Sequence, residues 1–226
     1  MKIGAPFAGP VSFPLLVISE YEDIDLHNTC SESSNFDVVL DSITNITKYG
    51  MPIMAGVFID MYSVIGSTES KIIYTVKRGT LADYNARLIA SAISGQVVNA
   101  DPETVMREAG NGKMGLVGNE IALGMKYSDL ARKLGIHAAS CMIAARDASF
   151  KPVLDYYQKG IDFIAKNPDR AAEIISKKSG YYDESTMRNI IGIYQHRLTT
   201  SRSDLESSIR IYSIVEPAVY RLKILR

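Results

Sequence analysis

Four stretches of this chain share one order of residues: a short apolar run, a loop of glycine and small polar residues, then an amphipathic run. The first is Lys2 to Tyr21, where Lys2–Ala5 gives way to a Gly/Pro loop and an amphipathic segment begins near Ser12. Phe36–Gly50 and Lys71–Ile93 repeat it, and Lys113–Met125 does so more loosely. Apolar runs of this length, rich in Val and Ile, are what strands buried on both faces of a mainly parallel sheet require. Each strand-to-helix turn puts backbone N–H groups and small hydroxyls at the carboxyl end of a strand, where open α/β sheets bind ligands. An α/β chain with a binding cleft follows.

Further strands are expected at 25–30, 53–58, 62–65, 97–100 and 137–145. Thr80 reads as the N-cap of a helix ending at Gly95, and Asp101-Pro102-Glu103 opens another. From Lys151 the pattern becomes almost wholly helical. One run spans 151–166, a second starts at Asn167-Pro168 and stops at Gly180, and a third runs from Asp183 to about Leu198. The last starts at Ser203 or Asp204. Alternating β/α units followed by an α-only tail suit final helices that pack back on the body.

With 226 residues, the chain is long enough for one large domain or two small ones. Its 25 basic and 25 acidic residues cancel, so nothing attracts it to nucleic acid or an anionic membrane. The basic residues of the C-terminal third (Arg197, Arg202, Arg210, Arg221, Lys223, Arg226) are interspersed with acids up to Glu216 and read as a solvated surface. No secretory signal or membrane-spanning run is expected, which points to the cytoplasm. Cys30 and Cys141 read as two buried, unpaired thiols. His27, His137 and His196 are far apart in sequence, so no metal and no cofactor are expected.

The residues also resemble a known family. KIGAPFAGPVSFPLLVISEYEDIDL (2–26) is similar to the N-terminus of solute-binding proteins of the nitrate/taurine/sulfonate and thiamine-precursor types. NFDVVLDSITNITKYGMPI (35–53), KRGTLADYNARLIAS (77–91) and KMGLVGNEIA (113–122) resemble successive segments of those proteins. FIAKNPDRAAEIISKKSGYYDES (163–185) resembles their C-terminal helix pair. The resemblance implies the type II periplasmic-binding-protein fold: two α/β lobes, an interlobe cleft and a helical C-terminal tail. Lobe one would be 1–70 with 148–226, and lobe two 71–147. It also implies a binder, monomeric or weakly dimeric, that closes on a small anionic or zwitterionic metabolite.

Four loops would then hold the ligand. Gly9 and Pro10 allow close backbone approach while Ser12 offers a hydroxyl or simply caps a helix. Ser42, Thr44 and Asn45 begin a second helix, with Asp41 beside them as a cap or an amine partner. Arg78 is a cation suited to a carboxylate, and Thr80 adds a hydroxyl. Gly118 and Asn119 complete the set, and Asn119 can both donate and accept. The alternative is an enzyme on the same fold, similar to the chorismate dehydratase of the futalosine pathway. Glu120 or Asp41 would then carry the proton. The absence of a nucleophile elbow, P-loop or GxGxxG argues against hydrolase and nucleotide chemistry.

Overall fold

A computed structural model of the protein describes residues 1–33 and 35–225; Arg226, counted above among the basic residues, lies outside the described residues. The chain runs β1 (Lys2–Ala5), α1 (Phe13–Ile18), β2 (Asp25–Asn28), β3 (Val38–Ser42), α2 (Ile43–Ile46) and β4 (Ile53–Ile59). It continues as β5 (Tyr62–Gly66), β6 (Ile72–Thr75), α3 (Leu81–Ile93), β7 (Gln96–Asn99), α4 (Pro102–Gly110), β8 (Met114–Gly118), β9 (Met125–Lys126) and α5 (Tyr127–Lys133). The remainder is β10 (Cys141–Ala145), α6 (Pro152–Lys166), α7 (Pro168–Ser179), α8 (Glu184–Ile190), β11 (His196–Thr199) and α9 (Arg202–Tyr212).

The strands form two sheets, one of six in the order β11-β4-β10-β3-β1-β2 and one of five in the order β7-β6-β8-β5-β9. Both are mixed rather than mainly parallel. The β1–β2, β1–β3, β6–β7 and β6–β8 pairs are parallel, whereas β5 and β10 run against both their neighbours. These two strands follow the passages of the chain from one sheet to the other and so enter each sheet in reverse. Tyr62–Gly66 therefore belongs to the second sheet and Cys141–Ala145 to the first. The chain changes sheet at 60–61 and again between 126 and 141, not at 71 and 147.

Strand alternation distributes the core. In β3, Val38 and Leu40 join one buried cluster while Val39 joins another on the opposite face. In β10, Cys141, Ile143 and Ala145 face the first cluster, and Met142 and Ala144 the second. A third cluster around Val64, Ile73, Ile89 and Leu116 fills the second sheet against α3. Leu88 of α3 departs from this division, since it packs with Tyr212 and Val219 in a cluster otherwise built on the first sheet. Two hydrogen bonds reinforce that contact: the Tyr212 hydroxyl donates to Asn85 Oδ1 at 2.6 Å and the Tyr84 hydroxyl to Glu216 Oε2 at 2.8 Å.

Two expectations change. The run expected to be helical through Leu198 ends at Ile190, and His196–Thr199 forms edge strand β11, antiparallel to β4. Its short apolar–polar alternation fits either state, and the open edge of β4 decides the outcome. Cys141 is buried as expected, but Cys30 is exposed in the turn after β2, at the edge of its sheet.

Gly160 on α6 sets the closeness of α6 to α1. A Cβ added there would collide with the backbone carbonyl of Pro14. Because backbone cannot rotate aside, Gly160→Ala should lower stability by about 1–3 kcal/mol, the usual range for overpacking. Urea unfolding of the variant against the parent protein reads this as a lower midpoint at unchanged slope.

Candidate functional site

The loop between β1 and α1 is held by the far end of the chain. Tyr182 donates to the carbonyl of Ala8 at 2.7 Å, and Tyr157 to that of Val11 at 3.0 Å. His196 Nε2 meets the carbonyl of Pro10 at 2.8 Å. Beneath them Phe13, fully buried, packs edge-on to Tyr182 at 5.7 Å and against Tyr194 at 5.9 Å between ring centroids. Burial raises the phenols of both Tyr182 and Tyr194 well above the usual value, with the carboxylate of Glu120 adding to the effect. Both stay neutral donors.

Above this floor opens a cavity of about 640 Å³. One wall comes from the first-sheet side: Ala8, Gly9 and Pro10 with Tyr181, Tyr182 and Tyr194. The other is the carboxyl edge of the second sheet. Val76 and Lys77 follow β6, Ala100 and Asp101 follow β7, Gly118 ends β8, and Glu120 and Ile121 follow it. Thr80 and Ala82 bring the start of α3, and Met61 and Tyr62 the start of β5.

Asp83 fixes the turn that carries Lys77. Its buried carboxylate accepts from the N–H of Gly79 at 2.9 Å, from Asn99 Nδ2 at 2.9 Å and from Arg87 Nε at 3.0 Å. Burial alone would raise its pKa, but Arg87, Gly79 and Asn99 together hold it below the usual carboxylate range. Thr80 caps α3, accepting from Asp83 N at 3.3 Å and donating to the Lys77 carbonyl at 2.7 Å. Asp101 caps α4 with both oxygens, one bound by Thr104 N and the other by Thr104 Oγ1, each at 2.9 Å. Glu120 folds back so that its carboxylate lies over Gly118, a place that any side chain at 118 would occupy. From there it accepts a hydrogen bond from the Tyr194 hydroxyl at 3.3 Å, across the cleft.

Of the residues read from the sequence, Gly9, Pro10, Thr80, Gly118 and Glu120 meet in this cavity; Ser12, Asp41, Ser42, Thr44, Asn45, Arg78 and Asn119 do not line it. Ser12 is fully buried and donates to the Gly9 carbonyl at 2.9 Å. Ser42 caps α2 and pairs with Thr44 Oγ1 at 3.1 Å, while Asp41 accepts from the Ser42 N–H and from Asn45 Nδ2. Burial raises the Asp41 carboxyl above its usual value despite those two donors. Arg78 is exposed, and its neighbour Lys77 is the cation that reaches the cavity. Asn119 ties the first passage between sheets: Nδ2 donates to the Asp60 carbonyl at 2.9 Å, Oδ1 accepts from Ser63 at 2.8 Å, and its N–H reaches the Met61 carbonyl. Lys77 and Tyr194 are cavity residues that the sequence reading missed. Tyr194 fell in a run read as helix, and nothing in Lys77-Arg78 says which of the two turns inward. Among the described residues no cluster of three His, Cys, Asp or Glu could hold a metal ion. Among the described residues no helix is long and apolar enough to cross a membrane.

Comparison with known proteins bears on this geometry. A family model described as "Protein of unknown function (DUF3834)" matches residues 1–197. A candidate nitrate transport protein from Thermoplasma volcanium is similar in structure, with a TM-score of 0.97, 50% identity, and coverage of 100% of this chain and 97% of its own. The periplasmic aliphatic sulphonate-binding protein SsuA of Escherichia coli is similar at a TM-score of 0.71 and 8% identity, covering 99% and 94% of the two chains. The alkanesulfonate-binding protein SsuA of Xanthomonas axonopodis pv. citri, bound to MOPS, gives 0.61, 8%, 97% and 93% respectively. The fold is thus the two-lobed α/β fold of periplasmic solute-binding proteins. No curated protein matches the sequence significantly.

His196 supplies a test of the floor. Its Nδ1 faces the Tyr194 carbonyl at 2.9 Å while Nε2 faces that of Pro10, and a neutral ring can donate to only one of them. Burial holds its pKa below the usual imidazole value, outweighing the two carbonyls that favour the proton. A base with a lowered folded pKa contributes stability above its unfolded value, near 6.5, and loses it as pH falls toward the folded value. His27 acts with the opposite sign: Glu32, then Asp25, raise its pKa, so its contribution is lost as pH rises. The urea midpoint of His196→Gln should therefore fall less than that of the parent between about pH 7.5 and 5.5. Equal slopes would mean that His196 carries no proton linkage.

Proposed function

We propose that this chain, which belongs to the DUF3834 family of proteins of unknown function, binds a small anionic or zwitterionic metabolite between its two lobes. The observation that carries the reading is the cavity of about 640 Å³, walled from both sheets. That volume is in the range of metabolite-sized sites, and its aromatic floor with a few polar groups has their usual character. The Thermoplasma volcanium protein and the two SsuA proteins, a nitrate-transport candidate and two sulfonate binders, support a small polar ligand.

In this reading lobe one is residues 1–59 with 141–225, lobe two is the segment between, and contacts to both lobes favour the closed state. Movement occurs about the two passages of chain between sheets. It is restrained on one side by the packing of Leu88 and Tyr212 and by the Tyr212–Asn85 hydrogen bond. Binding without turnover fits the placement of the carboxylates: of the two alternatives for proton transfer Glu120 lines the cavity and Asp41 does not, and Asp101, which lines it too, is occupied at both oxygens by Thr104.

Native mass spectrometry of freshly purified protein should find a bound small molecule. Resupplied at about a hundred times its Kd, that molecule should stabilise the fold by about 2.7 kcal/mol, seen as a raised Tm. Tyr181 is 68% exposed and lines the cavity, so Tyr181→Ala should weaken binding several-fold and leave the Tm of the free protein unchanged. A protein that emerges empty and gains no stability from any metabolite pool would remove the proposal.

A further inference from the structure

The charges of the cleft do not suit a simple anion. Three charged residues line it, Lys77, Asp101 and Glu120, and two of them are acids. Asp101 is occupied at both oxygens by Thr104. Glu120 is not: it accepts one long hydrogen bond, from Tyr194 at 3.3 Å, and among the described residues no Lys, Arg or His comes within ion-pair distance of it. Its carboxylate lies folded over Gly118 at the cavity wall, on a residue that is itself exposed. Tyr62, Tyr181, Tyr182 and Tyr194 line the same cavity, with Tyr181 set edge-on to Tyr182 at 4.9 Å. Aromatic faces carry negative potential and attract cations at about 6 Å or less from the ring centre. An anion entering here would meet a carboxylate without a cationic partner among the described residues, beside four phenol rings.

The opposite preference holds at the start of α3. Among the described residues no acceptor meets the N–H groups of Leu81 and Ala82, in the first turn of a 13-residue helix. The partial positive charge of that helix end adds to the field. Lys77 stands just before it and lines the cavity, with no acid in ion-pair distance among the described residues.

We propose that the cleft holds its ligand by a positively charged nitrogen, seated against Glu120 among Tyr62, Tyr181, Tyr182 and Tyr194, with the ligand's anionic end toward Lys77 and the first turn of α3. The ligand class is an ammonium or quaternary-ammonium acid. This rests on the cleft reading above and narrows it from anions in general to zwitterions.

Titration calorimetry tests it with straight-chain ω-amino carboxylates and ω-amino sulfonates, set against the same acids lacking the amine and the same amines lacking the acid. The amino acids should bind up to about five-fold more tightly than the matching plain acids, as expected for a charge pair on an exposed carboxylate. Glu120→Gln, which still accepts from Tyr194, should erase that difference without changing the Tm of the free protein. Lys77→Met should weaken the acids and leave the plain amines unaffected. Plain acids that bind as tightly as their amino counterparts, or a preference that survives Glu120→Gln, would overturn the proposal. So would a co-purified ligand without a cationic nitrogen, and in all three cases the cleft reading would stand. If nothing co-purifies and nothing in the series binds, both readings fall together.

Discussion

The loop between β1 and α1 presents three carbonyl groups, at Ala8, Pro10 and Val11, to partly or fully buried surroundings. Each is met by a side chain from the C-terminal third of the chain: Tyr182, His196 and Tyr157. A buried carbonyl left without a donor costs about 1–3 kcal/mol, so the two phenol donors are requirements of the fold, while neutral His196 is shared between the carbonyls of Pro10 and Tyr194 and donates to one of them. These contacts also dictate where the rings of Tyr182 and Tyr194 stand, because Phe13, the first residue of α1, supports both. The floor of the cleft is thus a by-product of satisfying one loop's backbone. Its shape needs residues separated by most of the sequence to arrive together.

The second lobe answers with a wall built differently. Its polar residues are held by short-range devices: Thr80 caps α3, Asp101 caps α4, and Asp83 gathers Gly79, Arg87 and Asn99 around one carboxylate. Among the described polar residues lining this wall, Glu120 reaches across the cleft, to Tyr194, and its path is open because position 118 has no side chain. One lobe supplies apolar area with phenol groups, and the other supplies oriented charge and helix ends.

How much of this could be read from the sequence follows from how local each feature is. The capped helices from Thr80 and Asp101, and the strand runs rich in Val and Ile, carry their signals within a few residues, and the structure has them where the patterns put them. Ser12, Ser42 and Asn119 looked like ligand donors for the same local reason, yet each hydroxyl or amide is engaged by nearby protein groups. Whether a small polar side chain points to its own loop or to a cavity depends on neighbours that sequence spacing does not encode. Strand β11 and Tyr194 were missed because the free edge of β4, more than a hundred residues earlier, determines them. The reversal of β5 and β10 was hidden likewise: a strand's direction belongs to its partners, not to its composition.

The contact of Leu88 and Tyr212 behind α3 has an energetic meaning. Two sheets joined only by passing strands could gape widely, and much of a ligand's interaction energy would go into drawing them shut. Here the Tyr212–Asn85 and Tyr84–Glu216 hydrogen bonds already join α3 to the C-terminal third of the chain, so in the proposed reading less of a ligand's interaction energy would go into drawing the lobes together.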